Sequence, residues 1–276
     1  MSESTSQKAQ SRALSPPTSG KARTAIPPCE PTLALEKVSK AYGPNQVLKD
    51  FSLAIGATEI VCLLGPSGCG KTTLLNLLAG LIEPDSGQVR RPPGRPGYVF
   101  QEPRLLPWRT AEENLALGLK ALSIPATARK RLIATYLERL ELANVAHLFP
   151  HQLSGGMRQR VALGRAFAID PAFLLLDEPF KSLDIGLRLP LVQMLLAEWR
   201  RRPRPVVFVT HDIAEAALTG HRILVLGSGP LTIREEIIMA SPPEERRPED
   251  PEVLQAEARL YALLAGSSRV SPSAKA

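Results

Sequence analysis

Gly65-Pro66-Ser67-Gly68-Cys69-Gly70-Lys71-Thr72-Thr73 is the stretch on which the reading of this chain turns. The apolar run Ile60-Val61-Cys62-Leu63-Leu64 precedes it and reads as a buried strand. Leu74-Leu75-Asn76-Leu77-Leu78-Ala79 follows it and reads as a helix closed by Gly80. Strand, glycine-rich loop and helix are the context of a phosphate-binding loop. The glycines let several backbone N–H groups point at one anion, and the helix start adds its positive dipole end. Lys71 is placed to reach terminal phosphates, and the Thr72 hydroxyl to ligate Mg²⁺. A plain tight turn explains neither the spacing nor the Lys-Thr pair.

Composition bounds the rest. The 276 residues suffice for one large domain or two small ones. No stretch approaches the ~20 uninterrupted apolar residues of a membrane span, so any membrane contact is expected through a partner. The net charge of +7 is scattered, apart from Arg200-Arg201-Arg202-Pro203-Arg204. That cluster falls where a helix is expected to end, and dipole capping explains it as well as ligand binding does. Aromatic and basic residues do not interleave as on a single-strand-binding surface, which argues against nucleic acid as a partner. Cys29, Cys62 and Cys69 have no metal spacing, and their odd count argues against a disulfide framework. Residues 1–31 are rich in Ser, Thr, Pro and Ala and read as a disordered tail. Residues 241–276 read as a second tail, in which Val253, Leu254, Leu260, Leu263 and Leu264 allow one short amphipathic helix.

Between the tails, residues 32–35 and 47–53 read as strands, with a strand end running into a turn over 38–44. Tyr42 either stacks on an adenine ring or covers the sheet edge. Residues 88–95 are polar and Pro-rich; residues 97–100 form a short strand ending at Gln101. Two prolines keep 102–110 out of a helix, and Thr110 with Glu113 predicts a capping box. Residues 126–140 have helical spacing. Ser154 is a helix cap, and Gly155 and Gly156 in the first turn leave backbone N–H groups bare, a second anion site. Phe173-Leu174-Leu175-Leu176-Asp177-Glu178 is a buried strand ending on two carboxylates. An Asp there can hold Mg²⁺, and a Glu beside it can orient or deprotonate an attacking water. Ser182-Leu183-Asp184 caps a helix running to Arg201. Residues 206–210 form a buried strand whose end places His211 to touch a phosphate, and strands at 222–226 and 231–239 complete the pattern.

This order of motifs resembles the ATP-binding cassette family of transporter ATPases over about residues 32–240. Gly65 to Thr72 matches Walker A, Gln101 the Q-loop glutamine and Leu153-Ser154-Gly155-Gly156 the family signature. Asp177-Glu178 matches Walker B with its catalytic Glu, Asp184 lies in the D-loop, and His211 is the switch histidine. The resemblance implies an α/β fold: a RecA-like P-loop NTPase core, an antiparallel β subdomain and an inserted α-helical subdomain at about 102–168. It implies a homodimer or paired ATPase subunit in head-to-tail arrangement. ATP lies between the loop residues Gly65, Pro66, Ser67, Gly68, Cys69, Gly70, Lys71, Thr72 and Thr73 of one subunit and Ser154, Gly155 and Gly156 of the other. Tyr42 then stacks on adenine, and Thr72, Gln101 and Asp177 surround Mg²⁺. Glu178 acts as general base, and His211 senses the γ-phosphate.

The resemblance further implies the ATPase subunit of an importer, peripheral at the cytoplasmic face of the inner or plasma membrane. Its partners would be separate transmembrane permease subunits and a periplasmic or lipid-anchored solute-binding protein. Residues 105–110 and 157–160 look like those of importers of nitrate, sulfonates, taurine or a similar small solute, and related importers of thiamine precursors share much of them. Phe180-Lys181-Ser182 departs from the small residues more usual there. Gly164 stands where Ala is commoner, at a cost of about 1 kcal/mol of helix propensity. Trp108 either anchors a permease helix or packs inside the helical subdomain. The alternative from another class is a soluble cassette ATPase of DNA repair or translation; a long coiled-coil insertion or a second cassette would favour it. A regulator that binds without hydrolysing would lack Glu178 or His211.

Overall fold

The computed structural model describes residues 32–267 apart from Ala121 and Ser182. The stretch read as an N-terminal tail, with Cys29, lies outside the described residues, as does Ser182. Strand β1 (Leu33–Tyr42) and strand β2 (Asn45–Ile55) make an antiparallel hairpin across Gly43-Pro44. The sequence suggested an interrupted β1, whereas Val38 is fully buried and register shifts absorb the irregularity. Strand β3 (Ile60–Leu64) leads through the glycine-rich loop into α1 (Lys71–Ala79), which Gly80 closes in the left-handed conformation. Strand β4 (Ser86–Arg90) returns to pair with β1, giving a sheet ordered β2-β1-β4. No strand was expected in this polar stretch. It is an edge strand with mostly exposed side chains, so it carries no apolar alternation to read.

Strand β5 (Pro96–Val99) is followed by three helices, α2 (Ala111–Leu119), α3 (Ala126–Arg139) and α4 (Gly155–Ala168). They share a core of their own around Leu115, Leu119, Leu137, Leu140 and Val161. The Thr110 hydroxyl accepts from Glu113 N and the Glu113 carboxylate from Thr110 N, the capping box read from the sequence. Gly164 is where this group closes up. A Cβ there would overlap Leu140 Cδ1 and stand 3.0 Å from Leu115 Cδ1, so the helix-propensity loss is set against close contact.

The chain then runs through β6 (Phe173–Asp177), α5 (Ile185–Arg201), β7 (Val206–Val209), α6 (Ile213–Thr219), β8 (Arg222–Gly227) and β9 (Thr232–Ile238). The main sheet is ordered β5-β6-β7-β3-β8-β9, parallel throughout except for β9. Its apolar strands bury both faces. Ile60, Cys62 and Leu64 of β3 enter the core beneath α4, α5 and α6, while Val61 and Leu63 enter the core shared with α1 and the antiparallel sheet. Leu174 and Leu176 divide from Phe173 and Leu175 in the same way on β6. Because the strands are parallel, their carboxyl ends share one edge, where an α/β sheet binds ligands.

Residues past 240, expected as a tail with a short helix, form α7 (Pro251–Ser267), 17 residues long. Its Val253, Ala256 and Leu260 belong to the main core. Arg246 anchors the approach to it: its Nη1 donates to Ala217 O at 2.9 Å and Gly220 O at 2.6 Å, around the end of α6. Three arginines of the cluster at the end of α5 are likewise tied into the fold. Arg204 is buried and donates to Pro171 O at 2.7 Å, Arg202 pairs with Asp170, and Arg201 with Glu198.

Candidate functional site

The glycine-rich loop forms one wall of a cleft of about 340 Å³, opposite Gln101, Asp177 and Glu178. An adjoining cleft of about 600 Å³ continues toward Pro44 and Pro230. Tyr42, Val47 and Gly68 line both. The loop's shape requires its glycines. Gly70 has φ +110, and a Cβ on it would stand 2.6 Å from Val47 Cγ1. Lys71 is only 7% exposed; its ammonium donates to Gly65 O and Pro66 O, each at 2.8 Å, across the loop. The next residue faces the opposite wall: the Thr72 hydroxyl donates to Asp177 Oδ2 at 3.0 Å.

Asp177 ends β6. Burial holds its carboxyl above the ordinary value, Thr72 opposes this, and the adjacent Glu178 adds repulsion. Glu178 has φ +44, a left-handed backbone rare outside glycine, fixed by its N–H donating to Val209 O at 2.9 Å. Its buried Oε2 lies 2.5 Å from Lys181 Nζ and 3.6 Å from His211 Nδ1. Just past β7, the backbone around His211 is held on both sides. Asp212 N donates to the Thr210 hydroxyl at 3.0 Å, and that hydroxyl donates to Glu215 Oε2 at 2.6 Å. The Asp212 carboxylate pairs with Arg188 at 2.6 Å. Burial pushes the Glu215 carboxyl up to about 7, with Asp212 adding to the rise against the Thr210 hydrogen bond.

Tyr42, Ser67, Gly68, Gly70, Lys71, Thr72, Thr73, Gln101, Asp177 and Glu178 are thus brought together, with Cys69 lining the adjoining part. Ser154, Gly155, Gly156 and Asp184 do not line either part. Ser154 caps α4 by accepting from Met157 N at 3.2 Å. Asp184 occupies the N-cap position of α5, but its side chain makes no capping hydrogen bond, contrary to the cap read from the sequence. Lys181 was noted only as a departure and proves to line the cleft. Asn114 went unnoticed. Buried in α2, it accepts from Leu106 N at 2.7 Å and donates to Leu106 O, Arg109 O and Thr110 O at 3.0–3.1 Å, so one amide shapes the loop after Gln101. A polar residue on the buried face of an amphipathic helix was the available signal.

A family model described as ABC transporter matches residues 48–181. The taurine import ATP-binding protein TauB of Yersinia pestis bv. Antiqua (strain Antiqua) is 42% identical over 203 residues, 71% of this chain and 80% of the relative. The aliphatic sulfonates import ATP-binding protein SsuB 2 of Burkholderia lata is 40% identical over 255 residues, 90% of each. A solved structure described as the dimeric structure of MJ0796, a bacterial ABC transporter cassette, is 33% identical and superposes with a TM-score of 0.66 over 75% of this chain and 98% of that one. A second structure of MJ0796 is described as a post-hydrolysis state bound to ADP and Pi. Phosphate loop, paired carboxylates, inserted helical unit and these likenesses converge: the chain belongs to the ABC transporter family, as one of its ATPase cassettes.

Proposed function

We propose that this cassette binds ATP in the cleft between the loop before α1 and the end of β6, and that its hydrolysis energises an importer of taurine-like or other small sulfonates. The observation that carries the reading is the Thr72–Asp177 hydrogen bond, which closes Walker A onto Walker B beside Lys71. The loop N–H groups and Lys71 would hold the phosphates, and Tyr42, on the wall shared by both parts of the cleft, would face the adenine. Thr72 Oγ1, Asp177 Oδ2 and the Gln101 side chain are hard oxygen donors lining one cleft, a donor set that suits Mg²⁺ shared with substrate phosphates. When bound, the ion would neutralise phosphate charge.

The chain's own residues would then act on water. Glu178 is the base: its carboxylate takes the proton as the water oxygen bonds to the terminal phosphorus and the bond to ADP breaks. His211, 3.6 Å from Glu178 Oε2, would orient the same phosphoryl group. Ser154, Gly155 and Gly156 would complete the site of a second subunit, with Asp184 at the junction. Their place outside this chain's own cleft supports that reading, as does the dimeric MJ0796 cassette. Among the described residues no helix is long and apolar enough to cross a membrane. By its likeness to the import ATP-binding proteins, the cassette would work peripherally, on the cytoplasmic face of separate permease subunits served by a solute-binding protein. The relatives are named as import proteins, which favours this over the nucleic-acid alternative. Equilibrium binding of a fluorescent ATP analogue to Lys71→Ala tests the site: affinity should largely vanish, and unchanged affinity would remove Lys71 from it.

A further inference from the structure

Two lysines line the cleft, and they are held differently. Lys71 is enclosed by loop carbonyls. Lys181 is 40% exposed, and its ammonium lies 2.5 Å from Glu178 Oε2 without the direction of a hydrogen bond. It lines the part of the cleft that holds Asp177 and Glu178, not the adjoining part around Pro44 and Pro230. Any polyphosphate entering that part meets two adjacent carboxylates as like charges. Only the lysine side of this pair is exposed, and lysine is a mobile point charge with three donors on a flexible stem. A substrate of higher negative charge therefore competes well for it.

We propose that Lys181 is a second phosphate contact specific for the terminal phosphoryl group. Its ammonium turns from Glu178 to that group when ATP enters, which offsets the carboxylate repulsion and releases Oε2 to face the water. The proposal rests on the reading that ATP occupies this cleft.

The test is equilibrium binding of ATP and ADP to the full chain in EDTA, comparing wild type, Lys181→Met, Lys181→Arg and Lys71→Ala. Lys181→Met should weaken ATP roughly tenfold, the worth of one charged contact, and leave ADP nearly unchanged. Lys181→Arg should restore most of the loss. In steady-state hydrolysis with metal, Lys181→Met should raise KM for ATP more than it lowers kcat. Wild-type ATP affinity in Lys181→Met, or an equal loss of ATP and ADP, would overturn the proposal while loss of both nucleotides in Lys71→Ala upholds the cleft. A fall in kcat with unchanged KM would make Lys181 a restraint on Glu178 instead, and would also overturn it. Wild-type binding by Lys71→Ala would overturn the reading of the cleft, and the proposal with it.

Discussion

The Thr72 hydroxyl donates to Asp177 Oδ2 across 105 residues of sequence. One hydrogen bond of 3.0 Å thus ties the first turn of α1 to the carboxyl end of β6. It holds a partly buried carboxylate that repulsion from Glu178 and loss of water would otherwise destabilise. The neighbouring Glu178 is left with its carboxylate toward His211 and Lys181 rather than toward Thr72. Position therefore separates two adjacent acids, which suits the tasks proposed for them: Asp177 is held by Thr72, and Glu178 is free of that bond to act as the base.

Glu178→Gln removes the proposed proton acceptor and keeps the shape. It should leave ATP binding in place and slow hydrolysis by ~10²–10⁴, the range for a lost general base. Bound ATP would then persist, and the paired form should accumulate. Single-turnover hydrolysis together with size-exclusion chromatography in Mg-ATP measures both. Near wild-type turnover would assign the proton to another group.

Gly164→Ala tests whether close contact outweighs helix propensity. In an open helix interior the change would stabilise by about 1 kcal/mol. Here the new methyl overlaps Leu140 and presses on Leu115, so a loss of roughly 1–3 kcal/mol is expected from overpacking. Among the described residues, nothing lies within 4 Å of a Cβ added to Gly186 of α5, and Gly186→Ala should move the denaturation midpoint the other way. Urea titrations of the two variants give the signs directly.

The strand-loop-helix at 60–80, the carboxylates ending β6 and the Thr110–Glu113 box are local patterns, and the structure carries each of them. β4 escaped because an exposed edge strand needs no apolar alternation. The fixed place of α7 escaped because it depends on Arg246 reaching the end of α6, a contact between segments distant in sequence. Lys181 and Gly164 stood out only as unusual residues. Their reasons, Glu178 on one side and Leu140 on the other, are side-chain neighbours that spacing cannot supply.

Glu215 makes stability depend on pH. Its carboxyl is raised to about 7 in the folded chain, chiefly by burial, and returns to about 4.5 on unfolding. The folded state therefore binds the proton more tightly, and this group's contribution is complete below about 4.5 and lost as pH rises through about 7. Arg188 is the cation that partly opposes the rise, whereas Asp212 and Glu178 reinforce it. Glu215→Gln keeps an acceptor for Thr210 without the charge. It should match wild type near pH 5 and exceed it near pH 8, by an amount on the order of a few kcal/mol before relaxation. Thermal unfolding at the two pH values decides, and a constant difference between them would detach the effect from this carboxyl.

Trp108 is 68% exposed, at the tip of the loop that Asn114 shapes. Of the two placements considered for it, an anchor for a permease helix fits this exposure and burial within the helical subdomain does not. The loop is also tied back: Arg165 of α4 donates to Pro103 O at 2.8 Å and Arg104 O at 2.9 Å. The segment after Gln101, which carries Trp108, is therefore tied to α4. Trp108→Ala should leave the isolated subunit's ATPase activity and melting temperature near wild type, because its side chain contributes little burial. It should weaken co-purification with the permease and reduce transport. Asn114→Leu is the companion variant: losing four loop hydrogen bonds should disorder the presentation of Trp108 and weaken assembly similarly, this time with lowered thermal stability. Normal assembly by Trp108→Ala would move the permease contact elsewhere on the cassette.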